Sequence, residues 1–368
     1  MDFLDDATKV EKRLVAKATA AHIPITASFE LTPCCNLRCD MCFIRMNMDE
    51  VKVAGGLKSI DFWLRLAKEL KDMGTLFILL TGGEPLLYPY FKELYQELRK
   101  MGFILTINTN ATCIDEKMVQ LFRESLPRRV NVTLYGASRE TYAKLCHHAE
   151  GFDQCMQGLA LLKKNDIDTK LNVSIVKENL SDFDKILAIS DYWGIPSVVN
   201  SYMFPCSRSV RSRISLHASR LNAVDGGRIE ALFQRHKKGE RFYDTMTILL
   251  RELEQAKPCD TPVGLSCRAG SSSVWITWQG CMTPCVMMEY PAVHLDRLSV
   301  REAWEEIGRM SRLLPSHEDC RGCTLREICQ VCYASATLEK QHYGTVNYLC
   351  HFTKSELQTL KTLVDEKK

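Results

Sequence analysis

No run in this chain is long and apolar enough to span a bilayer, and the opening Met1-Asp2-Phe3-Leu4-Asp5-Asp6 lacks the basic-then-apolar order of a secretory signal. Excess charge is also missing. A net +3 over 368 residues is too little to imply a nucleic-acid or membrane-surface partner. There is no low-complexity tract and no internal repeat beyond an alternation of strands and helices. These absences leave an ordinary folded protein, expected in the cytoplasm, with 46% hydrophobic and 25% charged residues and room for one large domain plus a smaller one.

Cysteine is what the chain has in quantity. Seventeen in a reducing compartment point to metal or catalysis rather than disulfides. Four fall between Cys34 and Cys42 and nine between Cys259 and Cys350, leaving only Cys113, Cys146, Cys155 and Cys206 between. An even scatter would suit small buried hydrophobes; this clustering suits metal.

Apolar or β-branched runs at 24–30, 76–80, 103–108, 130–134, 171–176 and 197–203 read as strands. Amphipathic segments at 60–73, 90–101, 116–125, 152–164 and 181–193 read as helices. Strands alternating with helices mean parallel βα units, so the class is α/β. A partial (β/α)6 TIM-like barrel fits, with a flat doubly wound sheet as the competing architecture; both place sites where strands end. The expected organisation is a helical lead-in (1–22), a core barrel (23–205), a helical connector (206–258), a small metal-organised domain (259–352) and a C-terminal helix or tail (353–368). The basic run at 208–220 reads as a solvated face, and helix is expected from 227 to 256.

Cys35-x3-Cys39-x2-Cys42 lies on the loop after the first strand. Three thiolates can hold three irons of a four-iron cluster and leave the fourth open, whereas such clusters ordinarily take four cysteines. On its own the spacing would also fit a partial zinc site. Thr81-Gly82-Gly83-Glu84-Pro85 follows the second strand directly. Its two glycines allow close backbone approach, Glu84 brings a carboxylate and Pro85 fixes the turn, which suggests a grip on an ammonium group.

Together these residues resemble the radical S-adenosylmethionine (radical SAM) superfamily. The run Glu30-Leu31-Thr32-Pro33-Cys34-Cys35-Asn36-Leu37-Arg38-Cys39-Asp40-Met41-Cys42 is similar to its cluster loop, and Gly82-Gly83-Glu84-Pro85 to its methionine-binding turn. The resemblance implies that Cys35, Cys39 and Cys42 hold a 4Fe-4S cluster whose open iron is chelated by SAM. Reductive cleavage of SAM would then give a 5′-deoxyadenosyl radical that abstracts hydrogen from the substrate, with an external electron donor of flavodoxin or ferredoxin type. Met41 stands where many members carry an aromatic. Asn108 and Asn110, at the end of the third strand, and Thr133 and Tyr135, at the end of the fourth, are implied SAM contacts; Asn108 and Tyr135 read equally well as strand-end residues satisfying local hydrogen bonds.

Cys320-x2-Cys323-x5-Cys329-x2-Cys332, alone, would read as a zinc ribbon. Preceded by Cys267-x12-Gly280-x4-Cys285 and followed by Cys350, it resembles the SPASM extension with two auxiliary 4Fe-4S clusters, three clusters in all. The resemblance implies Cys259, Cys267, Cys285 and Cys332 for the first, with Cys259 the least secured. It implies Cys320, Cys323, Cys329 and Cys350 for the second. The spacing before Cys332 is one residue shorter than usual. Of the rest, Cys34 and Cys281 adjoin ligand positions, and His147-His148 reads as a polar loop.

Many SPASM-bearing enzymes modify peptides or proteins, so peptide maturation by crosslinking or oxidation is the leading expectation. Val286 stands where sulfatase maturases carry an aspartate base, and the nearest acid is Glu289, which argues against formylglycine formation; no catalytic base is assigned. Only 34 residues precede Cys35, so a separate leader-binding domain is not expected ahead of it. The alternatives are oxidative small-molecule chemistry of the haem-pathway kind and, in a different class, an iron–sulfur electron carrier or zinc protein.

Overall fold

The computed structural model describes residues 7–205, 218–265 and 267–367. Cys206 and most of the basic run at 208–220 lie outside the described residues.

Helix α1 (Lys9–Ala20) starts at a capping box between Thr8 and Glu11 and buries Val15 and Ala18. Six strands follow: β1 (Thr26–Glu30), β2 (Phe77–Thr81), β3 (Ile104–Thr109), β4 (Arg129–Thr133), β5 (Thr169–Ser174) and β6 (Ser197–Asn200). Each pairs in parallel with the next, in the order 1-2-3-4-5-6. A doubly wound sheet reverses its strand order at a switch point. This one never reverses, and the sequential order is that of a partial TIM-like barrel.

Between β1 and β2 lie α2 (Met48–Val53) and α3 (Ile60–Asp72). The crossovers that follow are α4 (Phe91–Lys100), α5 (Glu116–Glu124), then α6 (Arg139–Cys146) with α7 (Gly151–Lys164), and α8 (Phe183–Trp193). On β3 and β4 the fully buried positions are Leu105, Ile107, Val130 and Val132, and they join one large core with Trp63, Leu66, Tyr95 and Phe122 from the helices. Beyond Ile104, the alternate positions of those strands toward their C-terminal ends are polar: Thr106, Asn108, Asn131 and Thr133. Strand period two therefore separates a greasy helix-facing side from a polar barrel side.

The connector differs from the single helical stretch expected at 227–256. It forms α9 (Ala223–Lys238) and α10 (Phe242–Glu254), broken at Gly239. β7 (Ser273–Ile276), from the cysteine-rich segment, pairs in parallel with the free edge of β1. The hairpin strands β8 (Cys281–Thr283) and β9 (Val293–His294) extend the sheet antiparallel, to nine strands. Helices α11 (Val300–Arg312), α12 (Tyr333–Tyr343) and α13 (Asn347–Asp365) complete the chain, with α13 packed along α9. Among the described residues no helix is long and apolar enough to cross a membrane.

Candidate functional site

The loop between β1 and α2 carries Cys35, Cys39 and Cys42, and backbone hydrogen bonds fix it from two sides. Arg38 N donates to Cys146 O at 2.9 Å and Asp40 N to Leu145 O at 3.1 Å, so the loop caps the end of α6. On the other side Gly83 N donates to Thr32 O at 2.6 Å and Glu84 N to Cys34 O at 2.8 Å. The glycines are required there. A Cβ on Gly83 would meet Cys34 O at 2.4 Å, and one on Gly82, whose φ is +151°, would meet Thr32 O at 2.4 Å. The backbone that these glycines admit is the cysteine loop itself.

Cys39 is buried; Cys35 and Cys42 are half-buried. Leu37 N donates to Cys35 Sγ at 3.4 Å and Arg45 N to Cys42 Sγ at 3.3 Å. Burial pushes the Cys35 thiol well above its ordinary range, with Glu84, Cys39 and Cys42 adding to the effect. Cys146, then burial, do the same to Cys39. Thiolates crowded this way call for a cationic partner, and donors aimed at sulfur suit an iron–sulfur unit. Among the described residues no three His, Cys, Asp or Glu side chains form a group that could hold one metal ion. A cluster binds each thiolate at a different iron, so its ligands need not share a point.

Glu84 is fully buried. Its Oε1 accepts from Thr109 Oγ1 at 2.8 Å and Leu86 N at 3.1 Å, and its Oε2 from Asn110 N at 2.8 Å. Burial raises its pKa to about 7 against those hydrogen bonds. The carboxylate thus locks the glycine turn to the end of β3. The Asn110 side chain bonds to Cys35, Asn36 and Thr112. Asn108 Oδ1 accepts from Asn131 Nδ2 at 2.8 Å. Tyr135 faces the same cysteines: burial raises its phenol, followed by Cys39, Cys35, Cys146 and Cys42. Thr133 is half-buried at the end of β4. On the polar strand positions, Asn131 Oδ1 and Asn172 Oδ1 are buried with no partner, a costly state that a bound ligand would relieve.

The C-terminal cysteines fall into two groups. Burial pushes Cys285 up to about 12, with Cys332 and Cys267 as its thiol neighbours. Cys320 is raised by burial, then by Cys329, Cys350 and Cys323. Cys350, half-buried, is raised by partial burial and then by Cys329 and Cys323. Cys259 bridges toward the second group through its backbone: Cys259 N donates to Cys323 O at 3.3 Å, and Gly322 N to Cys259 O at 2.8 Å. Glu289 is exposed and Val286 half-buried.

Several contacts were not legible in the sequence. Cys146 lies against Cys39. Glu30 is fully buried and accepts from Trp275 Nε1 at 3.1 Å. His147, the residue capping the C-terminus of α6, bonds through Nε2 to Asp40 Oδ1 at 2.8 Å, so the His147-His148 pair is split between the cysteine loop and Gln154. Cys281 Sγ sits 3.3 Å from His294 Nδ1. Cys34 Sγ contacts Met48 Sδ at 3.3 Å.

Residues 29–189 match the family model described as the radical SAM superfamily. The chain is 23% identical over 333 residues to the AdoMet-dependent heme synthase of Methanosarcina barkeri, covering 86% of this chain and 93% of that one. It is 27% identical over 372 residues to the Fe-coproporphyrin III synthase of the same organism (89% and 88%). It is 22% identical over 312 residues to the sporulation killing factor maturation protein SkfB of Bacillus subtilis (84% and 70%). In fold it is similar to Streptococcus suis SuiB bound to its precursor peptide SuiA, with TM-score 0.64 and 17% identity over 90% of this chain and 77% of that one. It is equally similar to anSMEcpe with bound AdoMet and Cp18Cys peptide, with TM-score 0.64 and 16% identity over 93% and 99%.

Proposed function

The chain carries a radical SAM domain and is an enzyme of that superfamily, and from that premise we propose that it abstracts hydrogen from a peptide or protein in a post-translational modification. Relatives named as synthases and as a maturation protein set aside the electron-carrier and zinc alternatives. The domain implies SAM and a 4Fe-4S cluster.

The observation that carries the proposal is the clasp of the cysteine loop between the Gly82-Gly83 turn and the end of α6. It presents Cys35, Cys39 and Cys42 at the C-terminal end of a parallel barrel, where such folds keep their chemistry. When bound, the cluster and SAM supply a carbon radical. The protein's share is to orient reactants and exclude water. Gly82, Gly83, Glu84 and Pro85 shape the wall beside the cluster, with Thr133 and Tyr135 across from it. Asn131 and Asn172 offer unused carbonyl oxygens to a donor group of nucleotide or substrate.

In the same proposal, Cys267, Cys285 and Cys332 with Cys259 hold one auxiliary cluster, and Cys320, Cys323, Cys329 and Cys350 another. The grouping in space of Cys285 with Cys332 and Cys267, and of Cys320, Cys323, Cys329 and Cys350, supports these seven ligands. Cys259 comes from the sequence resemblance, and its backbone pairs with Cys323 of the other group. An external flavodoxin- or ferredoxin-type donor would supply electrons, in the cytoplasm. Peptide-bound structural neighbours favour a peptide substrate. A second reading, a tetrapyrrole carboxylate as substrate, rests on the haem and coproporphyrin synthase relatives.

The deciding experiment is anaerobic incubation with SAM and dithionite, followed by mass spectrometry. Turnover of a candidate peptide supports the first reading. Turnover of a coproporphyrin and of no peptide replaces it with the second.

A further inference from the structure

Asn110 follows β3 and is 4% exposed. Its backbone N–H is taken by Glu84 Oε2. Its side-chain oxygen accepts twice from Thr112, from N at 2.9 Å and from Oγ1 at 2.6 Å. A backbone N–H can only donate, so that end of the amide is the oxygen. The nitrogen must then face the other way, where Nδ2 lies 3.0 Å from Asn36 Oδ1 and 3.6 Å from Cys35 Sγ. Asn36 is held in turn by its own Nδ2, which donates to Thr112 Oγ1 at 2.7 Å. Both ends of the Asn110 side-chain amide are accounted for, and one N–H is left for the sulfur.

We propose that Asn110 is a positioning residue that donates a hydrogen bond to the Cys35 thiolate and thereby raises the reduction potential of the SAM-binding cluster. The inference rests on the radical SAM reading of the three cysteines. Reduction adds negative charge to the cluster, and a donor on a ligand sulfur stabilises that charge. Leu37 N supplies a second donor to the same sulfur, but a backbone donor survives substitution. The side-chain contribution is the adjustable one, and Thr112 sets its orientation.

The test uses reconstituted full-length protein reduced with dithionite, observing the paramagnetic signal that changes when SAM is added. With 15N-asparagine in an otherwise 14N protein, pulsed EPR of that signal is expected to resolve a 15N coupling. Asn110→Asp keeps an oxygen for Thr112 but removes the donor; Asn110→Leu removes both. In each, the coupling disappears, and the midpoint falls by the equivalent of about tenfold in the oxidised-to-reduced ratio, about 59 mV.

No asparagine coupling in the wild-type protein overturns the inference without any variant needing to fold. So does an unchanged midpoint in iron-replete variants. If the wild-type protein has no SAM-responsive signal, the radical SAM reading of these cysteines fails first and this inference with it.

Discussion

Trp275 Nε1 donates to Glu30 Oε2 at 3.1 Å, joining the strand that launches the cysteine loop to a strand from the far end of the chain. Glu30 is fully buried, and its Oε1 lies 3.5 Å from Trp278 N. Glu30→Leu would leave those donors without their acceptor. The expected loss is about 1–3 kcal/mol in denaturant unfolding, the usual cost of an unsatisfied buried group. Trp275→Phe, which removes donor and ring edge together, should lose less of the loop's integrity than Glu30→Leu. Equal, near-zero effects would mean this link contributes nothing.

Gly83→Ala places a methyl group 2.4 Å from Cys34 O, a backbone atom that cannot swing aside. The cysteine loop must move, and the variant should reconstitute with about four fewer irons and form no 5′-deoxyadenosine. Gly102→Ala is the control. Its φ of +90° makes alanine strained, but nothing lies within 4 Å of the new methyl. It should cost about 1 kcal/mol of stability and leave iron content alone.

Each of Cys35→Ala, Cys39→Ala and Cys42→Ala should abolish 5′-deoxyadenosine formation. Cys285→Ala and Cys350→Ala should each lower iron from about twelve per chain to about eight. SAM cleavage retained in any of the first three, or zinc in place of iron after anaerobic reconstitution, would remove the assignment.

Glu356 is buried between α9 and α13, its Oε2 has no partner, and burial followed by Glu230 raises its pKa to about 8. Glu230 is raised in the same sense, chiefly by burial. The folded state thus holds a proton that the unfolded chain releases near 4.5. Stability from this site is complete below about pH 4.5 and is lost as pH rises through about 8. Glu356→Gln should flatten that slope and make the protein on the order of 2 kcal/mol more stable at pH 8.5. Parallel pH–stability profiles for the two proteins would refute this.

Much of the barrel could be read from the chain because its strands carry apolar runs and its helices a 3.6-residue period. The expected strand at 103–108 and the observed Ile104–Thr109 differ by one residue. β7 was different: Ser273–Ile276 has a strand's composition, but its partner, β1, is set by tertiary packing that no local period encodes. The site divides the same way. Cysteine spacing marked the thiols, and two adjacent glycines marked the turn. The direction of the Asn110 amide could not be seen, since it depends on Thr112 and Asn36 meeting in three dimensions. Nor could the three protein donors that the two Glu84 oxygens take be seen, since they come from the turn and from the end of β3.

The parallel pairing of β7 with β1 has a consequence for synthesis. A ribosome finishes β1 through β6 long before Ile276 emerges, so one side of the founding strand stays bare while the nascent barrel waits. Bare strand margins invite pairing with other polypeptides. That margin of β1 is covered only when the last third of the chain arrives to close the seam.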